Sequence, residues 1–421
     1  MRFDEIADLN PACALKRGVE APFIDMASLP TMARDVAVTT TRPFKGSGSR
    51  FQNGDTLIAR ITPCLENGKG ALVLSLPKGA FGHGSTEFIV ARAKRTTDAE
   101  FVYYLTRNSE FRSTAISRME GTSGRQRVSW QQIARIEIPD LHWQDREKVG
   151  RILGVLDDKI ELNRRMSATL EEMVRALYRS WFVDFDPVQA RALGQPPAHM
   201  AAATAALFPD SFGPDGLPKG WEVGTLGNLI DFNPKESLQK GTPAPYLEMK
   251  ALPTAGMSPE PPYFRAFTSG TKFRELDTLL ARITPCLENG KTALVDDLLD
   301  AEVGWGSTEF IVMRAKSGIS AAVPYCVARD PDFRAQAIQT MTGSSGRQRA
   351  DAKRISELEA AIAPMEVYAT FAEFVFPMLN RMIGAGKEVR TLAALRDTLL
   401  PRLMSGELRI REAEKQVQEV V

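Results

Sequence analysis

A chain of 421 residues exceeds what one hydrophobic core usually organises, so two or three domains are expected. Hydrophobic residues at 43% and charged residues at 25% exclude a largely disordered chain, and a net charge of +1 excludes a uniform polycation. Cys13, Cys64, Cys286 and Cys326 form no CxxC pair, and His83, His142 and His199 lie far apart, so neither a disulfide scaffold nor a zinc site is expected. The opening MRFDEIADLN has no signal-like segment and no apolar run reaches membrane-spanning length, which predicts a soluble, cytoplasmic protein without membrane contact.

In chain order, residues 1–141 show short apolar runs punctuated by Gly and Pro, with strands expected at "DTLIARI" and "TEFIVARA" on either side of a turn-rich loop. Spacing turns helical from Asp98 to Met119, and the mixture predicts an α+β domain. Residues 142–185 then carry a heptad pattern, with Val149, Leu156, Asn163, Leu170 and Leu177 read at position a and Ile152, Met166 and Met173 at position d. A helix of about 40 residues spans roughly 60 Å, which suits a coiled-coil spacer arm, the alternative being a long core helix. Residues 186–220, rich in Ala, Pro and Gly, are expected to form an exposed linker.

The pattern then starts again. "DTLIARITPCLENGK" from Asp55 recurs as "DTLLARITPCLENGK" from Asp277, a shift of 222 residues that also carries "GSTEFIV" and "GTSGRQR" onto their second copies. Upstream, "PFIDMASLP" pairs with "PYLEMKALP" at a shift of 223. A period this long signals a duplicated domain, unlike a solenoid array. The second copy places a domain at 221–365, a second long helix at 366–408 and a tail at 409–421. Its seam maps to Phe371, Met378, Leu392 and Leu399 at a, with Phe374 and Leu395 at d. Pro377 and the Gly384–Gly386 segment are expected to kink or interrupt that helix, and Pro401 to shorten its last turn. The fold class expected is α+β: two pseudo-repeated globular domains separated by two long helices that pair as an antiparallel coiled coil.

Catalytic constellations are weak. Asp55, Glu66 and Lys69, repeated as Asp277, Glu288 and Lys291, resemble a nuclease carboxylate pair only loosely, and turn or edge roles are the simpler reading. "EPPY" at Glu260 lacks a cofactor-binding glycine turn, and no GxSxG, HExxH or Walker motif occurs. What repeats is a set of donors: Arg60, Thr62, Asn67 and Lys69 in the first copy, Arg282, Thr284, Asn289 and Lys291 in the second. Arg and Asn read purine edges, and Lys and Thr hold phosphates, although a sheet-face ion pair accounts for Arg60 equally well. The "GTSGRQR" loop adds Thr122, Ser123, Arg125, Gln126 and Arg127, and its repeat adds Ser344, Ser345, Arg347, Gln348 and Arg349. Arg107 to Arg135 carries six Arg against Glu110 and Glu120, and a similar excess runs from Arg329 to Arg354, which reads as a basic face built twice or as a solvated helix face.

Three segments, "DDKIELNRRMSATLEEMVRALYRSWFVDFDPV", "LPKGWEVGTLGNLIDFNP" and "LRDTLLPRLMSGEL", make the chain resemble the specificity subunit of type I restriction-modification systems. The resemblance covers nearly the whole chain. It implies a non-catalytic subunit that reads a bipartite site in double-stranded DNA with two target-recognition domains. It further implies docking of two methylation subunits and of endonuclease (translocase) subunits, with S-adenosylmethionine, ATP and Mg²⁺ expected in those partners and no cofactor bound by this chain. The rival readings are an autonomous duplicated metal-dependent nuclease and a protein scaffold that binds no DNA.

Overall fold

The computed structural model describes residues 1–420 apart from Ala37, Thr39, Ser123 and Ser345. By internal contacts the chain divides into two units, Met1–Glu161 with Thr391–Val421, and Leu162–Arg390.

In the first unit, β1 (Ala7–Leu9), β2 (Glu20–Ile24), β3 (Thr40–Pro43), β4 (Ser49–Phe51), β5 (Asp55–Ala59), β6 (Gly70–Leu72), β7 (Gly82–Gly84) and β8 (Phe88–Ala93) build two four-stranded sheets. One, ordered β1-β8-β5-β6, is antiparallel throughout; the other, β3-β2-β7-β4, has a parallel β2–β7 pair. All five residues of β5 are buried because both faces of its sheet are covered. Leu57 and Ala59 pack with Phe51, Ile24 and Phe88, and the opposite face meets α1 (Ala99–Arg107). Helices α2 (Ser109–Ser117) and α3 (Trp130–Ala134) are started by Asn108 and Ser129, whose side chains accept from the backbone N–H of Glu110 and Gln132. The long helix α4 covers Trp143–Phe182.

The second unit holds α5 (Asp186–Ala192), α6 (Ala202–Ala205), β9 (Glu222–Thr225), α7 (Leu226–Leu229), β10 (Ile230–Phe232), β11 (Pro243–Leu247), β12 (Tyr263–Ala266), β13 (Thr271–Phe273), β14 (Thr278–Ala281), β15 (Thr292–Leu294), β16 (Gly304–Gly306) and β17 (Phe310–Ala315). It continues with α8 (Ala322–Arg329), α9 (Pro331–Gln339), α10 (Ala352–Ser356) and β18 (Glu359–Ile362), ahead of the long helix α11 (Met365–Met404); α12 (Ile410–Gln418) belongs to the first unit. Its sheets, β10-β17-β14-β15 and β12-β11-β16-β13, repeat the strand orders of the first unit, and β9 and β18 form an extra pair. Asn10 and Asn233, both with positive φ, accept from Val90 N and Val312 N at 2.9 Å, so the repeat holds at hydrogen-bond detail. Residues 186–220 differ from the exposed linker expected: Val188 and Phe208 are fully buried against Trp181 and Trp221 in this unit's core. Their apolar rings and branches outweigh the loop-like composition around them.

Within the second unit the two long helices run antiparallel, since Arg381 donates to Asn163 Oδ1 while Tyr178 meets Phe371 and Phe182 stacks on Tyr368 at 4.9 Å. The heptad frame needs correction in both. Two of the positions read as d face outward, Met173 at 49% and Phe374 at 42% exposure, whereas Leu153, Ile160, Val174 and Trp181 in α4, and Val375, Met382 and Leu403 in α11, are buried. The true frame sets these residues at a and the former a residues, Val149, Leu156, Asn163, Phe371, Leu392 and Leu399 among them, at d. Both frames repeat every seven residues, and Met166 and Met173 offered apolar side chains at the wrong one. Ile152 is buried as well, while Met166, Leu170, Leu177, Met378 and Leu395 are half-buried.

The expected break in α11 does not occur. The helix passes through Pro377, Gly384 and Pro401 uninterrupted, the cost of Pro377 being offset by burial of Phe371, Val375, Leu379 and Met382. Gly386 serves close approach, because a Cβ there would lie 2.8 Å from Ser258 Oγ and 2.9 Å from Asp296 Oδ2.

Candidate nucleic-acid interface

Each unit brings the repeated loop after β5 or β14 against the repeated GRQR loop. In the first, Val128 N donates to Arg60 O and Thr62 N to Gln126 O, so residues 126–128 lie beside 60–62 as a short ladder. Glu120 and Arg127 exchange backbone hydrogen bonds at 2.9 and 2.8 Å and close the tip; Gly121 and Gly124 supply its positive φ angles. The second unit repeats this with Ala350 to Arg282, Thr284 to Gln348, and Thr342 with Arg349. Thr62–Pro63 and Thr284–Pro285 are both cis.

The candidate donors now separate into two groups. Arg125 and Arg347 are exposed at the loop tips with no side-chain partner among the described residues, and Thr122, Ser344, Asn67 and Asn289 are exposed as well. Ser123 and Ser345 lie outside the described residues. Arg60 and Arg282 are half-buried, and in both the Nε is buried without a hydrogen-bond partner, as is Thr284 Oγ1. A buried donor left unpaired costs roughly 1–3 kcal/mol, and the same unpaired Nε recurs in both copies.

The other group is committed internally. Arg127 forms a fork with Glu87 at 2.8–2.9 Å and Arg349 one with Glu309 at 2.7–2.9 Å, and these hydrogen bonds and charges push both guanidinium pKa values up. Lys69 Nζ donates to Met26 O at 2.7 Å and Lys291 Nζ to Met249 O at 3.0 Å, so these lysines tie down the segment after β2 or β11 and are not free phosphate donors. Thr62 Oγ1 donates to Gln126 O at 3.3 Å, and the half-buried Gln126 and Gln348 supply the accepting carbonyls. The charge excess of the flanking helices is likewise part structural: buried Arg329 donates to the carbonyls of Thr254, Gly290 and Thr292, and Arg107 to those of Gly68 and Thr31.

The nuclease candidates are not assembled. Asp55 is buried and held bidentately by Arg92 at 2.7 Å, Asp277 by Arg314 in the same way, while Glu66 and Glu288 are exposed. No group of three or more His, Cys, Asp or Glu side chains suited to a metal occurs among the described residues, and no helix there is long and apolar enough to cross a membrane.

No family model matches the chain. Over 336 residues it is 23% identical to the type I restriction enzyme MjaIX specificity subunit of Methanocaldococcus jannaschii, a match covering 75% of this chain and 70% of that one. Over 329 residues it is 24% identical to the HindI specificity subunit of Haemophilus influenzae, covering 65% and 69%. Its homologues are type I restriction enzyme specificity subunits. The crystal structure of the S subunit of a type I restriction-modification system from M. genitalium shares the fold, at a TM-score of 0.55 and 15% identity over 96% of this chain and 95% of that one.

One feature of the sheets is not legible in the sequence. On the second sheet of each unit a guanidinium lies over an aromatic ring, Arg42 over Phe23 at 4.2 Å and Arg265 over Tyr246 at 4.8 Å. The signal was present in the 223-residue register, which pairs Arg42 with Arg265 and Phe44 with Phe267, but unlike neighbours hid it.

Proposed function

We propose that this chain is the DNA-reading, non-catalytic subunit of a type I restriction-modification complex. The observation that carries this is the paired, desolvated Arg Nε of Arg60 and Arg282, each beside a loop whose arginine, Arg125 or Arg347, is exposed and unpartnered among the described residues. Guanidinium groups held this way are suited to bidentate contact with guanine edges or phosphates. In this reading the two repeats are target-recognition domains for the two halves of a bipartite site, and α4 and α11 form an antiparallel coiled-coil spacer. Two methylation subunits and the endonuclease subunits dock on the chain, and S-adenosylmethionine, ATP and Mg²⁺ act in those partners. A cytoplasmic location follows from the role.

The test is mapping of methylated adenines in a host that expresses the chain with its methylation subunit. A bipartite motif that vanishes when this chain is omitted is the expected result. Methylation without a bipartite motif overturns the assignment, and Mg²⁺-dependent cleavage by the isolated chain favours the nuclease instead.

A further inference from the structure

The duplicated loops are nearly identical in sequence, so by themselves they present the same chemistry to both halves of a site. The units differ beside them. In the second, β12 is an edge strand exposed at all four residues, with Tyr263 at 46% and Phe264 at 56% exposure. Tyr263 meets Tyr246 at 5.6 Å, Tyr246 meets Trp305 at 4.4 Å, and Arg265 lies over both Tyr246 and Trp305. The first unit keeps the frame, with Arg42 over Phe23 and Phe23 against His83 at 5.0 Å, but its exposed edge strand β3 carries Thr40 and Thr41 at the corresponding positions. Thus the stacked cation is retained while the outward side chains change from hydroxyl to aromatic.

A short stretch of chain links this strand pair to the loop site. β16 ends at Gly306, and Glu309, which holds Arg349, lies four residues beyond Trp305, within about 14 Å along the chain. The β11–β12 pair presents Arg265, and β2–β3 presents Arg42, at the exposed edge of a four-stranded sheet, and antiparallel strand pairs are among the elements that read DNA grooves. Thr contacts several base edges through its hydroxyl and methyl, whereas Phe and Tyr offer apolar contact to a thymine methyl.

We propose that these hairpins are the specificity-determining elements: the repeated loops read a feature common to both half-sites, and β3 and β12 read the bases by which the half-sites differ. The inference rests on the DNA-reading function proposed above and deepens it. It requires the two half-sites, in opposite orientation, to share some bases and to differ at others.

The test compares adenine-methylation maps of hosts carrying the full chain with its methylation subunit. Tyr263→Thr with Phe264→Thr is expected to reduce discrimination at one or more positions of the second half-site by about tenfold, leaving the first half-site unchanged. The reciprocal Thr40→Tyr with Thr41→Phe is expected to alter the first half-site alone. All four positions are exposed, and co-purification with the methylation subunit together with an unchanged unfolding midpoint reports that each variant is intact. An intact variant that methylates the original motif with the original base preference overturns the inference, and so does one that changes the other half-site. Lost co-purification by a folded variant also overturns it, because the strand then docks protein. A wild-type complex with no bipartite motif refutes the underlying function instead.

Discussion

Replacing the two loop-tip arginines together, Arg125→Ala with Arg347→Ala, tests the interface through its salt dependence. Each is exposed without a described partner, so each is expected to contribute one phosphate contact. Each neutralised phosphate adds about 0.9 to the slope of log affinity against log salt, so the double variant should flatten the slope by about 1.8. Between 50 and 200 mM salt, a fourfold change, the wild-type complex should then lose about tenfold more affinity than the variant. Fluorescence anisotropy of a labelled duplex, titrated with the complex of this chain and the methylation subunit proposed for it, measures both slopes. The control is Arg127→Ala with Glu87→Ala, which removes an internal ion pair without changing net charge and should leave the slope unaltered. An unchanged slope in the arginine double variant, or an equal loss in the control, refutes the separation of free from committed arginines.

Asp157 is buried and accepts from Arg396 Nη1 at 2.5 Å and Tyr104 Oη at 2.6 Å, so Asp157→Ala should lower stability by about 3–5 kcal/mol, read as a fall in the urea midpoint; a loss below 1 kcal/mol would contradict the burial of this pair. Val174→Asp, at a position 2% exposed, should destabilise severely, while Met173→Asp, on the outward face, should stay within about 0.5 kcal/mol of wild type by the same measurement. Against burial, which pushes Glu236 up, hydrogen bonds from Arg314 and Arg274 hold its carboxyl below the usual range. A depressed folded-state pKa gives stability that is present above the unfolded value, about 4.3, and lost as pH falls through the folded value. Glu236→Gln should therefore be less stable than wild type at pH 7, with the difference shrinking below about pH 4 in denaturation curves.

The architecture was readable where chemistry repeats. Asp55 and Arg92 recur as Asp277 and Arg314, and the same cross-strand pair forms in both sheets, so the duplication already contained the strand partnerships. The long helices were legible too, because seven-residue spacing survives whichever frame is chosen. The frame itself was not, since Met173 and Phe374 are apolar yet outward, and only packing distinguishes them from Val174 and Val375. At the site, composition named the correct loops but could not tell Arg125 from Arg127: Glu87, the partner that occupies Arg127, is 40 residues away in sequence. The fate of Lys69 was hidden for the same reason, its acceptor being a backbone carbonyl that no residue type announces.

The membership of the two units has a consequence for synthesis on the ribosome. Leu162–Arg390 is continuous and has all its own residues once Arg390 has emerged, whereas the other unit needs Thr391–Val421 to return to Met1–Glu161. The contact of Arg396 with Asp157 closes a loop of 239 residues. Closing so long a loop costs little extra equilibrium free energy, because each doubling of length adds only about 0.6 kcal/mol. Its effect is on timing: the sheets of Met1–Glu161 emerge earlier and wait, with Asp157 lacking Arg396, until the residues after Arg390 are translated. During that interval the nascent chain exposes a half-built helix seam, and chaperone demand should track the translation time of the inner segment.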